Sequence, residues 1–235
     1  MNKMTKTMAI LAVWAGLASG ALAQEVYSAN AVGYIKLVLP PGQSMISTPF
    51  VLPGGGTPTI NDIFGTNMPN GSVINIYRPS LGKYDNYGYF FGQWYKGAVS
   101  GQGTNLIHRG SGFWIKNPGL TNLTLTLVGE VPGAPDFSAE IVNLPRGQSI
   151  VCFSFPTVTP FENSGLVPQN GDIVNAWQPA PTNKYKSYGY FFGNWYVGAV
   201  ITPLVFEPGK AYWYKNVATP VEGKDWIQPK LYTWP

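Results

Sequence analysis

One cysteine, Cys152, and one histidine, His108, stand in a chain of 235 residues, and these scarcities remove most familiar chemistries. A lone cysteine cannot close a disulfide within the chain, so packing has to hold the fold. One His and one Cys far apart do not make a zinc ligand set. Ser-His-Asp or Cys-His catalysis would have to use His108, which lies beside Arg109 in loop-like sequence and reads as an exposed loop residue. Charge is scarce as well: Asp, Glu, Lys and Arg make up 11% of the chain. Without Lys/Arg runs there is no electrostatic footprint for nucleic acid or for an anionic membrane. The eleven carboxylates form no recognisable pair at a meaningful spacing, although a spatial pair such as Asp85 with Glu130 stays open for a glycosidase. There is no Asp-x-Asp-x-Asp-Gly calcium loop, no Walker-type glycine loop and no Gly-x-Ser-x-Gly elbow. The sequence therefore predicts no catalytic, metal or cofactor-binding residues.

Long apolar runs are missing too. Nothing reaches the roughly 20 residues that a membrane span needs. The start of the chain instead has the pattern of an export signal: Lys3 and Lys6, a short apolar run from Met8 to Ser19, and Ala21-Leu22-Ala23 as a small-x-small cleavage site. The expectation is a signal peptide over residues 1–23, a mature start at Gln24, and an extracytoplasmic location, whether periplasmic, cell-surface or secreted. Removing 23 of 235 residues leaves 212, and losing two of the 15 basic residues leaves 13 against 11 acidic ones, a charge of +2. That length suits two small domains.

What the chain does contain is itself, twice. Lys83 to Val99 returns as Lys184 to Val200 with thirteen of seventeen positions identical. Further landmarks recur in order. Leu39-Pro40-Pro41-Gly42-Gln43-Ser44 answers Leu144-Pro145-Arg146-Gly147-Gln148-Ser149, and Asn70-Gly71 answers Asn170-Gly171. Gly112-Phe113-Trp114-Ile115-Lys116-Asn117 answers Ala211-Tyr212-Trp213-Tyr214-Lys215-Asn216. A spacing near 100 residues is too long for a solenoid or propeller unit and suits a self-contained domain. The predicted organisation is domain one over residues 24–131, a stiff Pro-rich linker over 132–136 and domain two over 137–235.

Gly and Pro supply 49 residues and cut the chain into short pieces rich in aromatic and β-branched residues, the pattern of turn-separated strands. The fold class expected is all-β: two tandem pseudo-repeat domains, each a small antiparallel β-sandwich or partly open barrel. Leu123-Thr124-Leu125-Thr126-Leu127 alternates as a strand with one apolar face. Thr59 to Phe64 has the short polar residues to cap one helical turn. Cys152, among Ile150, Val151, Phe153 and Phe155, reads as a small residue of a buried strand matched by Ser47, and Trp114 and Trp213 read as core.

In the duplicated block, Gly92-Gln93 and Gly193-Asn194 resemble two-residue II′ hairpin loops. Phe91 would then face Trp94, Phe90 would face Tyr95, and Tyr89 would face Lys96. Alternation puts Tyr87, Tyr89, Phe91, Trp94 and Lys96 on one face and Phe90, Tyr95 and Val99 on the other. Both faces are aromatic, and a small sheet turns only one face to its own core. The other needs a cover: the sister domain, another subunit, a loop or a ligand. Flat rings flanked by amides and amines can stack on sugars, so the candidate surface for a ligand or partner is Tyr87, Tyr89, Gln93, Trp94 and Lys96, with Tyr188, Tyr190, Asn194 and Trp195 in the second copy.

Ala31-Val32-Gly33-Tyr34, the Leu-Pro-Pro-Gly-Gln-Ser run and the closing Gly-Ser-Gly-Phe-Trp-Ile element resemble a group of exported bacterial repeat proteins common in planctomycete and verrucomicrobial genomes. The resemblance implies an exported β-rich surface or matrix role and brings no catalytic residue with it. The function expected is a non-enzymatic secreted or cell-surface structural or binding protein acting through aromatic surfaces and sheet edges. Its partner would be a protein, a glycan or another copy of the chain. The alternatives are a carbohydrate-binding protein with one aromatic platform per repeat and, more distantly, an extracellular hydrolase.

Overall fold

The structure is a computed structural model that describes residues 31–133, 138–217 and 223–233. The expected signal peptide and most of the expected linker, residues 134–136, lie outside the described residues. The architecture is all-β, built from antiparallel sheets with no closed barrel, consistent with a β-sandwich.

The first half contains β1 (Val32–Leu39), β2 (Gly42–Ile46), a short helix α1 (Ile60–Phe64), β3 (Val73–Arg78), β4 (Lys83–Phe90), β5 (Gln93–Tyr95), β6 (Phe113–Asn117) and β7 (Leu123–Glu130). The first and last strands pair as a two-stranded ribbon, and the rest form a sheet in the order β2-β6-β3-β4-β5. In the second half the ribbon is β8 (Ala139–Leu144) with β17 (Lys224–Pro229). Its sheet runs β9 (Gly147–Val151), β16 (Tyr212–Asn216), β11 (Ile173–Gln178), β12 (Lys184–Phe191), β13 (Asn194–Val197) and β14 (Val200–Ile201), with a small extra pair of β10 (Thr159–Pro160) and β15 (Val205–Phe206). Position by position the two sheets have the same order. The register agrees as well: Leu39 opposes Leu123, and its counterpart Leu144 opposes Lys224.

Each half closes over its own core. Ribbon residues Leu39, Leu125 and Leu127 meet Ile74, Tyr87, Trp94, Phe113 and Ile115 of the first sheet. Leu144 and Trp226 meet Val174, Tyr188, Trp195, Tyr212 and Tyr214 in the second. The alternation at 123–127 thus has the expected role, with Leu125 and Leu127 inward and Thr124 and Thr126 exposed. Thr59 caps α1 in a capping box: its hydroxyl accepts from the Asp62 N–H at 3.2 Å and the Asp62 carboxylate accepts from the Thr59 N–H at 2.8 Å. In both halves the last residue of a sheet strand, β6 or β16, fastens the ribbon, Asn117 donating to the Leu39 carbonyl at 3.0 Å and Asn216 to the Leu144 carbonyl at 2.7 Å.

The halves meet along a seam built from reciprocal contacts. The Ser47 N–H donates to the Gly209 carbonyl at 3.0 Å, and the Cys152 N–H donates to the Gly110 carbonyl at 3.1 Å, so each half lends a strand end to the other. Rings on the outer faces of the sheets then interlock. Trp114 sits edge-on to Trp177 at 5.2 Å and to Tyr185 at 6.4 Å, and the mirrored set is Trp213 with Tyr77 at 4.8 Å and Tyr84 at 6.5 Å. Trp114 and Trp213 therefore belong to a third cluster, shared between the halves with Met45, Ile150 and Ala211, rather than to either core. Gly112 is required at this seam, because a Cβ there would lie 2.2 Å from the Ala211 Cβ.

Candidate functional site

The structure turns the expected ligand surface inward. Tyr87 is 0%, Tyr89 2% and Trp94 1% exposed, and Tyr188 and Trp195 are buried in the same way, with Tyr190 half-buried. Tyr89 packs on Trp94 at 5.1 Å and donates its hydroxyl to the Thr66 carbonyl, while Tyr190 packs on Trp195 at 5.1 Å. These rings are core, which corrects their assignment to a binding surface. The physical reason is that the small sheet must bury one face, and it buries the one with the larger rings, worth about 2–3 kcal/mol each on burial. Of the candidate residues only Gln93, Lys96 and Asn194 are exposed, and no flat sugar platform remains on that side.

The hairpin register is also corrected. Phe90 opposes Gln93 and Tyr89 opposes Trp94, and the second hairpin pairs Phe191 with Asn194 and Tyr190 with Trp195. The loops are Phe91-Gly92 and Phe192-Gly193, not Gly92-Gln93 and Gly193-Asn194. All four loop residues have positive φ, at 52° and 79° in the first and 50° and 83° in the second, as a type I′ turn demands. Because cross-strand partners move by two residues, Tyr87, Tyr89 and Trp94 keep their common face; only Phe91 leaves it, for the tip. A side chain sets the turn from below. Asn70 Oδ1 accepts from the Phe91 N–H at 3.0 Å, and Asn170 Oδ1 accepts from the Phe192 N–H at 3.0 Å.

Phenylalanine is a poor choice for positive φ, costing about 1–2 kcal/mol relative to a right-handed residue, and Asn or Gly would avoid most of it. Both copies nevertheless place Phe there, and both rings are 85% exposed. The strained backbone on an anchored tip points the Cα–Cβ bond of each Phe outward and leaves its ring to solvent.

Beside each tip the outer face of the hairpin forms an open cleft. On β4 that face carries Tyr84, Asn86, Gly88 and Phe90. The sister half covers the Tyr84 end through Trp213 and leaves the far end open. The first cleft, about 410 Å³, is lined by Asn86, Gly88, Phe90, Phe91, Tyr95 and Gly97. The second, about 480 Å³, is lined by Ile173, Ser187, Gly189, Phe191, Phe192, Tyr196 and Gly198. Gly88 forms part of the floor because the Phe90 ring lies across it, with Cε2 2.8 Å from where a Cβ would stand, and Phe191 lies over Gly189 at 3.0 Å. Neither lining contains a carboxylate, a histidine, a cysteine or a cation.

Charge sits to one side. Asp85 accepts from Arg78 Nε at 2.8 Å and pairs with Lys96 Nζ at 2.6 Å, and these two partners, Lys96 first, hold its carboxyl below the ordinary range. In the second half Lys186 replaces Asp85 and lies 5.0 Å from the Tyr188 ring centre. Asp85 thus pairs with two cations, and Glu130 accepts from the Gly54 N–H at 2.9 Å. Cys152 is fully buried, its thiol pushed up to about 11 by burial. His108 is exposed, as its loop position suggested. Among the described residues no group of three or more His, Cys, Asp or Glu is placed to hold a metal, and no helix is long and apolar enough to cross a membrane.

Comparison with protein-family models, with curated proteins and with solved structures returned no match. The clefts and their tips were not singled out from sequence, although a signal was present: a Phe-Gly loop repeated in both copies, following an Asn-Gly turn by 21 residues in the first and 22 in the second.

Proposed function

We propose that this chain is a non-enzymatic binding protein of the extracytoplasmic space, with one apolar aromatic cleft per half and an exposed phenylalanine at the rim of each. The observation that carries this reading is the duplication of cleft and strained tip together. Two copies that differ at Asp85/Lys186 and Lys96/Val197 still share the Phe-Phe-Gly loop, the glycine floor and the tyrosine wall. Apolar lining with a few polar groups and a volume of several hundred Å³ suits capture of a small apolar group. The linings contain no carboxylate, histidine, cysteine or lysine, and Ser187 in the second cleft has no such base among the lining residues to activate it. The leader pattern supports export.

Titration of the ¹⁵N-labelled chain with the uncharged dye N-phenyl-1-naphthylamine tests the reading. Amides of residues 88–97 and 189–198 should shift together, with dissociation constants within about threefold of each other. If neither set moves while the rest of the spectrum is well dispersed, the clefts are not binding sites. The carbohydrate reading now rests on Phe90, Tyr95 and Asn86 rather than on Tyr89 and Trp94, and Asn86 with Tyr95 offers few partners for sugar hydroxyls. Glycan-array binding abolished by Tyr95→Ala with Tyr196→Ala would favour it.

A further inference from the structure

We infer that the group each cleft receives is the hairpin tip of a second copy of this chain, so that the molecule is bivalent and assembles end to end. This rests on the reading of the clefts as binding sites and names their occupant.

The seam between the halves already shows what the outer sheet face recognises. There the outer face of one sheet packs on the outer face of a closely similar sheet, with Trp114 against Trp177 and Tyr185 and Trp213 against Tyr77 and Tyr84. Each cleft continues that face along the same strand. Tyr84 lies at the seam, and Asn86, Gly88 and Phe90 follow it at two-residue steps toward the open end. The uncovered part therefore extends an established contact between like surfaces.

Shape and charge agree. Each hairpin carries both a knob and a hole: Phe91 and Phe192 stand 85% exposed, and each borders a cleft walled by Phe90 and Tyr95 or by Phe191 and Tyr196. A surface with both is self-complementary across a twofold axis, where residue i of one copy meets residue j of the other and the reverse. The linings have no charged side chain, so an anionic or cationic partner would meet no counter-charge, whereas a phenyl ring loses no polar contact on entry. The chain next to the clefts carries further exposed apolar side chains, Val99 at 60%, Val200 at 67% and Ile201 at 58%.

Position sets the valence. The seam takes in the ends of β2 and β9, the outer faces of β6, β3, β16 and β11, and the Tyr84 and Tyr185 ends of β4 and β12, whereas each hairpin tip lies at the other end of β4 or β12. One chain thus offers two ends, and isologous pairing at both produces a string. Each patch contains six or seven lining residues, against the 20–30 per side of a stable interface, so each contact is weak.

Sedimentation velocity on the chain from Gln24 onward, from about 10 μM to 1 mM, tests this. The native chain should grow past the dimer as concentration rises. Phe91→Asn or Phe192→Asn alone removes one end, and such a chain should stop at the dimer; the double variant should stay monomeric. Asn suits positive φ, and unchanged near-UV circular dichroism would verify that the variants fold. A native chain that is monomeric at 1 mM, or a single variant that still grows past the dimer, overturns the inference. The dye titration separates the two readings. Amide shifts at both clefts in a monomeric chain refute only self-assembly, whereas no shifts and no association refute both.

Discussion

Below the hairpins, the two halves solve one packing problem in opposite ways. Where the ribbon crosses the sheet, the first half has Ser72, Ile115 and Leu123, and the second has Asp172, Tyr214 and Lys224 at the matching places. Asp172 is 0% exposed, yet it is surrounded: Lys224 Nζ lies at 2.7 Å, the Tyr214 hydroxyl donates to it, and the N–H groups of Gln169 and Val217 donate at 2.9 Å each. Burial alone would push its carboxyl up, but Lys224, Tyr214 and the two N–H groups outweigh burial and hold it below the ordinary range. Burial together with the carboxylate pushes the Tyr214 hydroxyl far up. In the first half an apolar pair fills the space, and the buried Ser72 hydroxyl has no hydrogen-bond partner. One backbone plan tolerates either solution, provided each is complete. A charge network is acceptable when every member is satisfied and costly when one is missing.

Breaking one network member should have the largest effect. Asp172→Ala leaves Lys224 without its counter-ion and Tyr214 without its acceptor, and should cost about 3 kcal/mol in urea unfolding. Ser72→Ala should change stability by less than about 0.5 kcal/mol. Replacing the whole trio together, Asp172→Ser with Tyr214→Ile and Lys224→Leu, should recover most of the loss, because it installs the apolar solution of the first half. If the triple replacement is no better than Asp172→Ala, the two halves are not interchangeable here.

Acid sharpens the same comparison. A carboxyl held below its unfolded value contributes stability that is present in full above the unfolded pKa, about 3.9, and is lost as pH falls through the folded value. Melting temperature should therefore fall as pH drops below about 4, and the fall should be shallower in the triple variant than in the native chain. Asp85, paired with Lys96 and Arg78 on the first half, contributes in the same direction but sits in water-screened surroundings. Equal slopes in the two proteins would mean that Asp172 does not carry the acid response.

A smaller loss than that of Asp172→Ala is expected at the seam, where Gly112 faces Ala211. Gly112→Ala should cost about 1–2 kcal/mol by overpacking, because its new methyl would meet Ala211 Cβ at 2.2 Å and Ile150 Cγ2 at 2.7 Å. Adding Ala211→Gly exchanges the two residues and should restore part of that loss, read by thermal melting. Were Gly112→Ala neutral, the seam would be looser than its ring contacts imply.

Some of this was legible in residues alone. The duplicated block marks the two hairpins, the 123–127 alternation marks the ribbon strand, Thr59 with Asp62 marks a cap, and the apolar neighbours of Cys152 mark its burial. The hairpin loop was misread because Gly dominates turn preferences, whereas here the carboxamides of Asn70 and Asn170, about twenty residues away, fasten a loop that begins with Phe. The buried trio left only a trace, since Asp172 opposite Ser72 and Tyr214 opposite Ile115 are visible as differences but nothing in one dimension brings Lys224 to them. The candidate surface was read from the wrong side of the strand. Tyr87, Tyr89 and Trp94 alternate with Gly88 and Phe90, and an aromatic pattern on both faces contains no polarity difference to say which one turns inward.

The order of residues by itself determined a duplicated all-β chain with two aromatic hairpins, because strand period, turn residues and repetition are local properties. Only the tertiary structure decided that the larger rings go to the core, that Trp114 and Trp213 join the halves, and that the outer faces end in two open clefts. Those outcomes depend on which surfaces exclude water from one another, and that is settled by contacts between residues far apart in sequence, 63 positions for Trp114 with Trp177 and 136 for Trp213 with Tyr77.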